Sequence, residues 1–364
     1  MPDITLFMAG LGGGGAERVM LYLARGFVDK GLKVDLVLVK TEGPSISLIP
    51  PEVRVINLGT GRLLRSIPSL VNYLKQNKPK ALLSAMEDIN VVALVCRRLA
   101  GVSTRVVVSV HNTLSVESKT STQIKKRLAP YLARLFYPSA DVVVTVSQGA
   151  AIDLVNLGLS KESVKVIYNP VVTPELFQKA AEPLDHPWFF PDELPVILAV
   201  GRLDKQKDFP TLIRAFAQTI QKIPARLMIL GEGPDRAELE ALVRELGVEK
   251  NVALPGFVNN PFVYMKRAAV LVLSSLYEGL PTVLIEAIAL GTSVVSTDCK
   301  SGPAEILENG RYGKLVTVGN AQEMAEAIMN TLEHPSSSVL LQEKAKEFLL
   351  EKATEQYLQV LNIG

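Results

Sequence analysis

The chain is 364 residues long, enough for two domains that each bury a core of their own. Hydrophobic residues make up 48% and charged residues 21%, with no apolar run long enough to cross a bilayer; two cysteines, Cys96 and Cys299, exclude a disulfide framework. The net charge of +2 hides an asymmetry: residues 1–170 carry 21 Lys+Arg against 12 Asp+Glu, and the remainder 18 against 25. Such a basic half either points to an anionic partner, nucleic acid or an anionic membrane surface, or reflects solvated faces alone.

The first apolar run, ITLFMA from Ile4, predicts a strand rather than an export signal, so a cytoplasmic protein is expected. Further strands are predicted in KVDLVLV, ALLSAM, TRVVVSV, DVVVTVS and VKVIY. Between the second and third of these, Leu63, Ile67, Leu70, Val71 and Leu74 recur at helical spacing. Pro170, Pro174, Pro183, Pro187, Pro191 and Pro195 then break the pattern, which predicts a linker with some local structure. Alternation resumes with PVILAV, RLMIL, NVAL, AVLVLS and TSVVST, and the stretch from about 336 to 361 reads as helical. The expectation is an α/β protein with two Rossmann-like domains whose parallel sheets face an interdomain cleft. Its parts would be residues 1–170, a linker over 171–194, residues 195–345, and a last segment, 346–364, whose helix packs across both domains.

Residues 8–24, MAGLGGGGAERVMLYLA, follow the first strand, and Gly10, Gly12 and Gly15 fit the dinucleotide fingerprint G-x-G-x-x-G. That fingerprint wants a carboxylate at the end of the next strand. Asp35 instead stands near the beginning of KVDLVLVK, and Lys40 at its end. The glycines are therefore read as the floor of the cleft, with Glu17 and Arg18 opening a helix. A dinucleotide-dependent oxidoreductase is the first rival reading.

Ligands of open parallel sheets sit beyond the carboxyl ends of strands. There the sequence places Gly201-Arg202, Gly231 to Pro234, Gly256-Phe257 and Ser274 to Glu278. In SSLYEGLPTVLIEAIALG, residues 274–291, Pro281 is expected as the first helical residue and Gly291 as the terminator. The amides near 280–283 would then point out of a helix start, a ready anion site. Glu278 and Glu286 suit sugar hydroxyls, or else serve as a cap and an exposed helix residue. Arg202 and Lys207 would neutralise a diphosphate, with Lys205 competing for the second role. His111 ends TRVVVSV beside Asn112, as a site residue or a structural one, and Glu87 and Asp88 follow ALLSAM with no role assigned. Ser147 is expected to cap a helix. No histidine spacing suggests a metal site, and no metal is expected.

With these residues in view, E-G-L-P-T-V-L-I-E (278–286) resembles the paired-glutamate motif of retaining glycosyltransferases of the GT-B fold, in glycosyltransferase family 4. G-R-L-D-K-Q-K-D resembles that family's G-R-L-x-x-x-K-G element, with Asp208 in place of the usual glycine. GGAERV (14–19), VIYNPV (166–171), GEGP (231–234) and LPGFV (254–258) are similar to the family in the same order, over nearly the whole chain. The resemblance implies that Arg202 and Lys207 bind the donor diphosphate, that Glu278 holds the donor sugar and that Glu286 holds the ribose. It implies that the backbone of Gly256, Phe257 and Val258 receives the base, and that of Gly279, Leu280, Pro281, Thr282 and Val283 a phosphate. Gly14 and Gly15 would close on the diphosphate, and His111 would approach the transferred sugar. The implied reaction is metal-independent, retaining transfer of a hexose or N-acetylhexosamine from a nucleotide-sugar, UDP favoured. The acceptor would be a glycan or lipid-linked hydroxyl in polysaccharide or glycolipid biosynthesis, with no cofactor beyond the co-substrate.

The stretch 119–140 carries Lys119, Lys125, Lys126, Arg127 and Arg134 and no acidic residue. Leu128, Tyr131, Leu132, Leu135 and Phe136 are expected on the other face of a helix interrupted near Pro130. It reads either as an interfacial segment on the inner face of the cytoplasmic membrane or as a surface helix packed by its apolar side. Since many acceptors of the resembled family are lipid-linked, membrane contact is expected and nucleic acid is not. A catalytically inactive glycan- or membrane-binding scaffold is the second rival, against which the intact Arg, Lys and paired-Glu set argues.

Overall fold

A computed structural model describes residues 1–12, 14–121 and 123–363. Among them the strands are β1 (Ile4–Met8), β2 (Val34–Leu38), β3 (Arg54–Asn57), β4 (Ala81–Ala85), β5 (Arg105–Val110), β6 (Val142–Thr145) and β7 (Val164–Val166). After these come β8 (Val196–Val200), β9 (Arg226–Leu230), β10 (Val252–Gly256), β11 (Val270–Leu273), β12 (Val294–Thr297) and β13 (Lys314–Val316). They form two wholly parallel sheets, ordered β3-β2-β1-β4-β5-β6-β7 and β10-β9-β8-β11-β12-β13. Most central strands are buried along their whole length, which is why they read as unbroken Val, Ile and Leu runs rather than as alternating ones. The edge strands β3 and β13 escaped that signal: β3 is mostly exposed and contains Arg54 and Asn57, and β13 has only three residues.

In each sheet the strand order reverses beside the first strand in sequence. β1 lies between β2 and β4, and β8 between β9 and β11. Crevices at such reversal points are where open α/β sheets take their ligands. In the first sheet this brings forward the glycine run and Glu87; in the second, Arg202 and the segment Ser274–Glu278.

The chain divides into two units, Met1–Val171 together with the chain from Phe348 onward, and Val172–Glu347. The 171–194 stretch carries local structure, as expected. A helix, Pro174–Ala180, is capped by Thr173, and a single turn, Pro187–Phe189, follows it. His186 there meets Trp188, Phe189 and Tyr264 edge-on at 5.7 to 6.4 Å. The last helix, Leu350–Leu361, packs on the first, Gly15–Asp29, and over β4 and β5. Gly26 makes this approach possible: a Cβ there would lie 2.1 Å from the Thr354 hydroxyl. Arg105 Nε donates to the Val360 carbonyl at 2.7 Å and closes the contact.

Candidate active site

In the second unit, two segments leave neighbouring strands and fasten to each other. β8 ends at Val200 and runs into Gly201-Arg202-Leu203, and β9 runs into Gly231-Glu232-Gly233. These turns stack backbone on backbone. Gly231 has φ +145°, and a Cβ on it would lie 1.9 Å from the Gly201 carbonyl oxygen. At this strand end, then, glycine serves tight packing first, a demand the sequence alone did not separate from ligand approach.

The segment 204–208 is pinned to the one that follows β11. The Leu276 N–H donates to the Gln206 carbonyl at 2.8 Å, the Gln206 side-chain amide to the Tyr277 carbonyl at 2.9 Å, and the Ser274 hydroxyl to the Lys207 carbonyl at 2.6 Å. Within this frame Lys207 Nζ reaches Glu278 Oε1 at 2.6 Å, and the Ser275 hydroxyl donates to the same oxygen at 2.6 Å. Both charged side chains are largely shielded from water, so an unpaired charge at either would be costly. Lys205, the competing cation, turns instead to Glu238 and to Asp235, 3.4 Å away. The Arg202 guanidinium is 73% exposed and 3.8 Å from Asp204, an exposed arm beside the strand end rather than a partner of Glu278. Gln206 was not singled out from sequence, and Ser274 and Ser275 were marked only as lying beyond a strand end, with no role assigned.

Beyond Glu278 the helix spans Thr282–Ala289, with Pro281 at its cap and not, as expected, at its first turn. Pro281 has ψ 103°, so the chain enters extended, and the Leu284 N–H is already spent on the Pro281 carbonyl at 3.1 Å. That leaves the Thr282 and Val283 amides as the outward donors of the helix start. Gly291 ends the helix with φ +79°, as expected. Glu286 lies inside it and is nearly fully buried, which rules out the exposed-residue reading. Gly256 closes β10 with φ +94°, and Phe257 beyond it is exposed.

In the first unit, Gly14 caps the helix Gly15–Asp29 and its N–H donates to Glu17 Oε2 at 3.0 Å. Gly15 faces open space, while the Glu17 carboxylate covers Gly12; Gly13 lies outside the described residues. Asp35, the acid a dinucleotide site would want, accepts from Arg54 Nε at 2.8 Å and from the Tyr73 hydroxyl at 2.6 Å. It is a buried structural anchor, not a ribose ligand.

His111 follows β5, and its Nε2 is 3.1 Å from the Ser109 hydroxyl; burial holds its imidazole down to about 4, neutral at pH 7. Glu87 opens the helix after β4. Burial first, then the nearby carboxylates of Glu117 and Asp88, push it up to about 7. Ser147 caps its helix as expected, accepting from the Ala150 N–H at 3.2 Å.

The basic stretch departs from expectation in two ways. One helix runs unbroken from Ile124 to Phe136 with Pro130 inside it. Its buried side is Ala129, Pro130 and Ala133, whereas Ile124, Leu128, Tyr131 and Leu135 are 48% to 73% exposed. The helix thus packs by Ala129, Pro130 and Ala133 with Leu132 and Phe136 half-buried beside them, and leaves its other large apolar residues exposed. The basic residues also differ among themselves. Lys126 reaches inward to the buried Glu117 at 2.6 Å and Lys125 approaches Asp88 at 3.7 Å, while Lys119, Arg127 and Arg134 are exposed. No helix among the described residues is long and apolar enough to cross a membrane.

Comparisons with known proteins agree on one group. Residues 13–174 match the family described as Glycosyltransferase Family 4, and residues 182–348 the one described as Glycosyl transferases group 1. A Campylobacter jejuni enzyme, N-acetylgalactosamine-N,N'-diacetylbacillosaminyl-diphospho-undecaprenol 4-alpha-N-acetylgalactosaminyltransferase, is 32% identical over 95% of this chain and 94% of its own. The Salmonella typhimurium lipopolysaccharide 1,6-galactosyltransferase is 32% identical over 50% of this chain and 49% of its own. Among solved structures, sucrose-phosphate synthase from Thermosynechococcus elongatus superposes with a TM-score of 0.83 at 22% identity, covering 100% of this chain and 98% of that one. Anabaena HepE, solved with UDP and glucose, gives 0.79 at 21% identity with full coverage of both chains.

Proposed function

The chain belongs to glycosyltransferase family 4, with the GT-B fold, and on that premise we propose a retaining, metal-independent transferase that builds lipid-linked or lipopolysaccharide-type glycans from a UDP-sugar. The observation that carries this reading is the shielded Lys207–Glu278 pair at the entrance to the 282–289 helix, with the exposed Arg202 on a neighbouring strand end. Lys207 and Arg202 bind the diphosphate, joined by the Thr282 and Val283 amides, and Glu278 accepts from hydroxyls of the donor sugar. Glu286 takes the ribose, and the backbone of Gly256 to Val258 takes the base. Within the first unit, Gly14 and Gly15 are read as facing phosphate and His111 as facing sugar.

The bond between the anomeric carbon and the diphosphate oxygen breaks as these cations and amides take up the charge on the departing oxygen. The acceptor hydroxyl attacks the same face and gives its proton to that oxygen. Fixed positive groups do the work a divalent metal would otherwise do. Nucleotide release from a panel of UDP- and GDP-sugars, with polyprenyl-diphosphate glycans as acceptors, tests the reading. Turnover with a UDP-hexose or UDP-N-acetylhexosamine, unchanged by EDTA and with the anomeric configuration kept, is expected. An inverted product or activity lost to EDTA would overturn the mechanism.

The relatives' acceptors motivate a place for the amphipathic helix. The Campylobacter relative is named for an undecaprenol-linked substrate and the Salmonella one for lipopolysaccharide. On this reading Ile124, Leu128, Tyr131 and Leu135 dip into the boundary of an anionic bilayer, and Lys119, Arg127 and Arg134 meet its headgroups.

A further inference from the structure

Three buried or half-buried polar groups in the first unit form a chain that ends on His111. The Tyr357 hydroxyl, carried on the last helix, is 3.2 Å from the Ser109 hydroxyl, which is 3.1 Å from His111 Nε2. Tyr357 and Ser109 are both almost fully buried. Such groups satisfy their hydrogen-bonding capacity inside the protein or destabilise it. Ser109 Oγ is the one partner of the Tyr357 hydroxyl among the described residues, so Tyr357 donates to it. Ser109 Oγ keeps a second lone pair, but its own proton has only His111 Nε2 left to go to among the described residues, and in that order Nε2 accepts. The histidine proton is left on Nδ1, for which no partner stands among the described residues.

We propose that Tyr357 is a positioning residue that, through Ser109, fixes His111 as its Nδ1–H tautomer and so makes it a hydrogen-bond donor to the substrate, not a base. The proposal rests on the reading that places His111 against the transferred sugar. Two side observations agree with it. Burial pushes the Tyr357 phenol up to about 12, so it keeps the proton it donates at any working pH. Burial likewise keeps the His111 ring neutral, so a tautomer is defined at all. An N–H aimed at a sugar hydroxyl or a phosphoryl oxygen suits a reaction in which the acceptor's proton leaves with the phosphate. It also gives the last helix a part in the chemistry, because the ring it carries decides which nitrogen of a distant histidine bears hydrogen.

The test is nitrogen-15 NMR of the full chain with labelled histidine, His111 being assigned by its loss in His111→Ala, combined with nucleotide-release kinetics. The native protein at pH 7 should show the Nδ1–H pattern at His111. Tyr357→Phe and Ser109→Ala should each give mixed tautomers and lower kcat about 2- to 10-fold, the worth of one hydrogen bond, with the donor KM unchanged. Two variants are used so that a folding defect in either leaves the other to decide. An Nε2–H pattern in the native protein would overturn the hydrogen-bond order. Full activity in both variants while His111→Ala is dead would overturn the positioning role. Full activity of His111→Ala would instead remove His111 from the site, and that role with it, whatever the tautomer.

Discussion

The ammonium of Lys207 stands 2.6 Å from a carboxylate oxygen of Glu278, tying the end of β8 to the end of β11 across 71 residues of sequence. Without a donor, this pair neutralises itself. On the proposed reading, a diphosphate arriving beside it would recruit Lys207 while Glu278 turned to sugar hydroxyls, each losing its present partner only as it gained another. Lys207→Ala should therefore lower kcat/KM about 10- to 100-fold, the worth of one charge-assisted hydrogen bond. Lys205→Ala, which breaks an exposed pair with Glu238, should stay within about 2-fold. Equal losses, read from initial rates over a range of donor concentrations, would mean that the phosphate ligand is misassigned.

Glu87 and His111 carry opposite pH signatures. Glu87 rises from 4.5 to about 7 on folding, so the folded chain holds a proton the unfolded chain has lost, and stability falls as pH climbs through that window. His111 drops from 6.5 to about 4, so the folded chain refuses a proton the unfolded chain takes, and stability falls as pH drops through that window. The two slopes, each at most about 1.4 kcal/mol per pH unit, oppose each other between roughly pH 4.5 and 6.5. In calorimetry, Glu87→Gln should make melting temperature rise with pH there more steeply than in the native chain. His111→Asn should tilt it the other way. Three parallel curves would show that neither group titrates as described.

Asp208 holds φ +45°, in the left-handed region, where the family pattern has glycine. Asp208→Gly removes a steric penalty of about 1–2 kcal/mol per residue and adds back some of it as unfolded-chain entropy. A gain of up to about 1 kcal/mol is expected from chemical denaturation, with donor KM little changed. A loss would indicate that the Asp208 carboxylate holds the segment in a way its backbone does not reveal.

The basic helix separates its residues by role. Lys126→Ala leaves Glu117 buried without its cation and should cost more than about 1 kcal/mol of stability. Arg127→Ala and Arg134→Ala should leave stability alone and each weaken binding to phosphatidylglycerol vesicles by about 5-fold, near 1 kcal/mol per basic residue. Tyr131→Ser with Leu135→Ser should weaken it further, and should do so equally on neutral vesicles. Cosedimentation unchanged in all of these would detach the helix from the membrane.

Sequence alone carried the α/β alternation because strands buried on both faces leave unbroken apolar runs, as in β1, β4 and β11. It missed β3 and β13, whose edge positions leave them short or exposed. The Arg202, Lys207, Glu278 and Glu286 positions stood out because they lie in two stretches that resemble family motifs, with Arg202 at a strand end and Glu278 just before a helix. What remained hidden depends on direction. Nothing in the spacing of Lys125, Lys126 and Arg127 says which one points inward, and the run from Leu128 to Phe136 reads equally well with either face outward. Likewise, the partnership of Ser109 with Tyr357 spans 248 residues and leaves no local trace.

The contact between the first and last helices also governs how the protein can be made. Lys30 and Glu355 meet although 325 residues separate them, and Gly26 waits for Thr354 over a similar interval. During synthesis the opening α/β unit must leave the ribosome with an uncovered apolar flank and keep it until residues 350–361 have been made. A chain interrupted before Leu350 would therefore have its early half assembled but sticky, a natural client for chaperones.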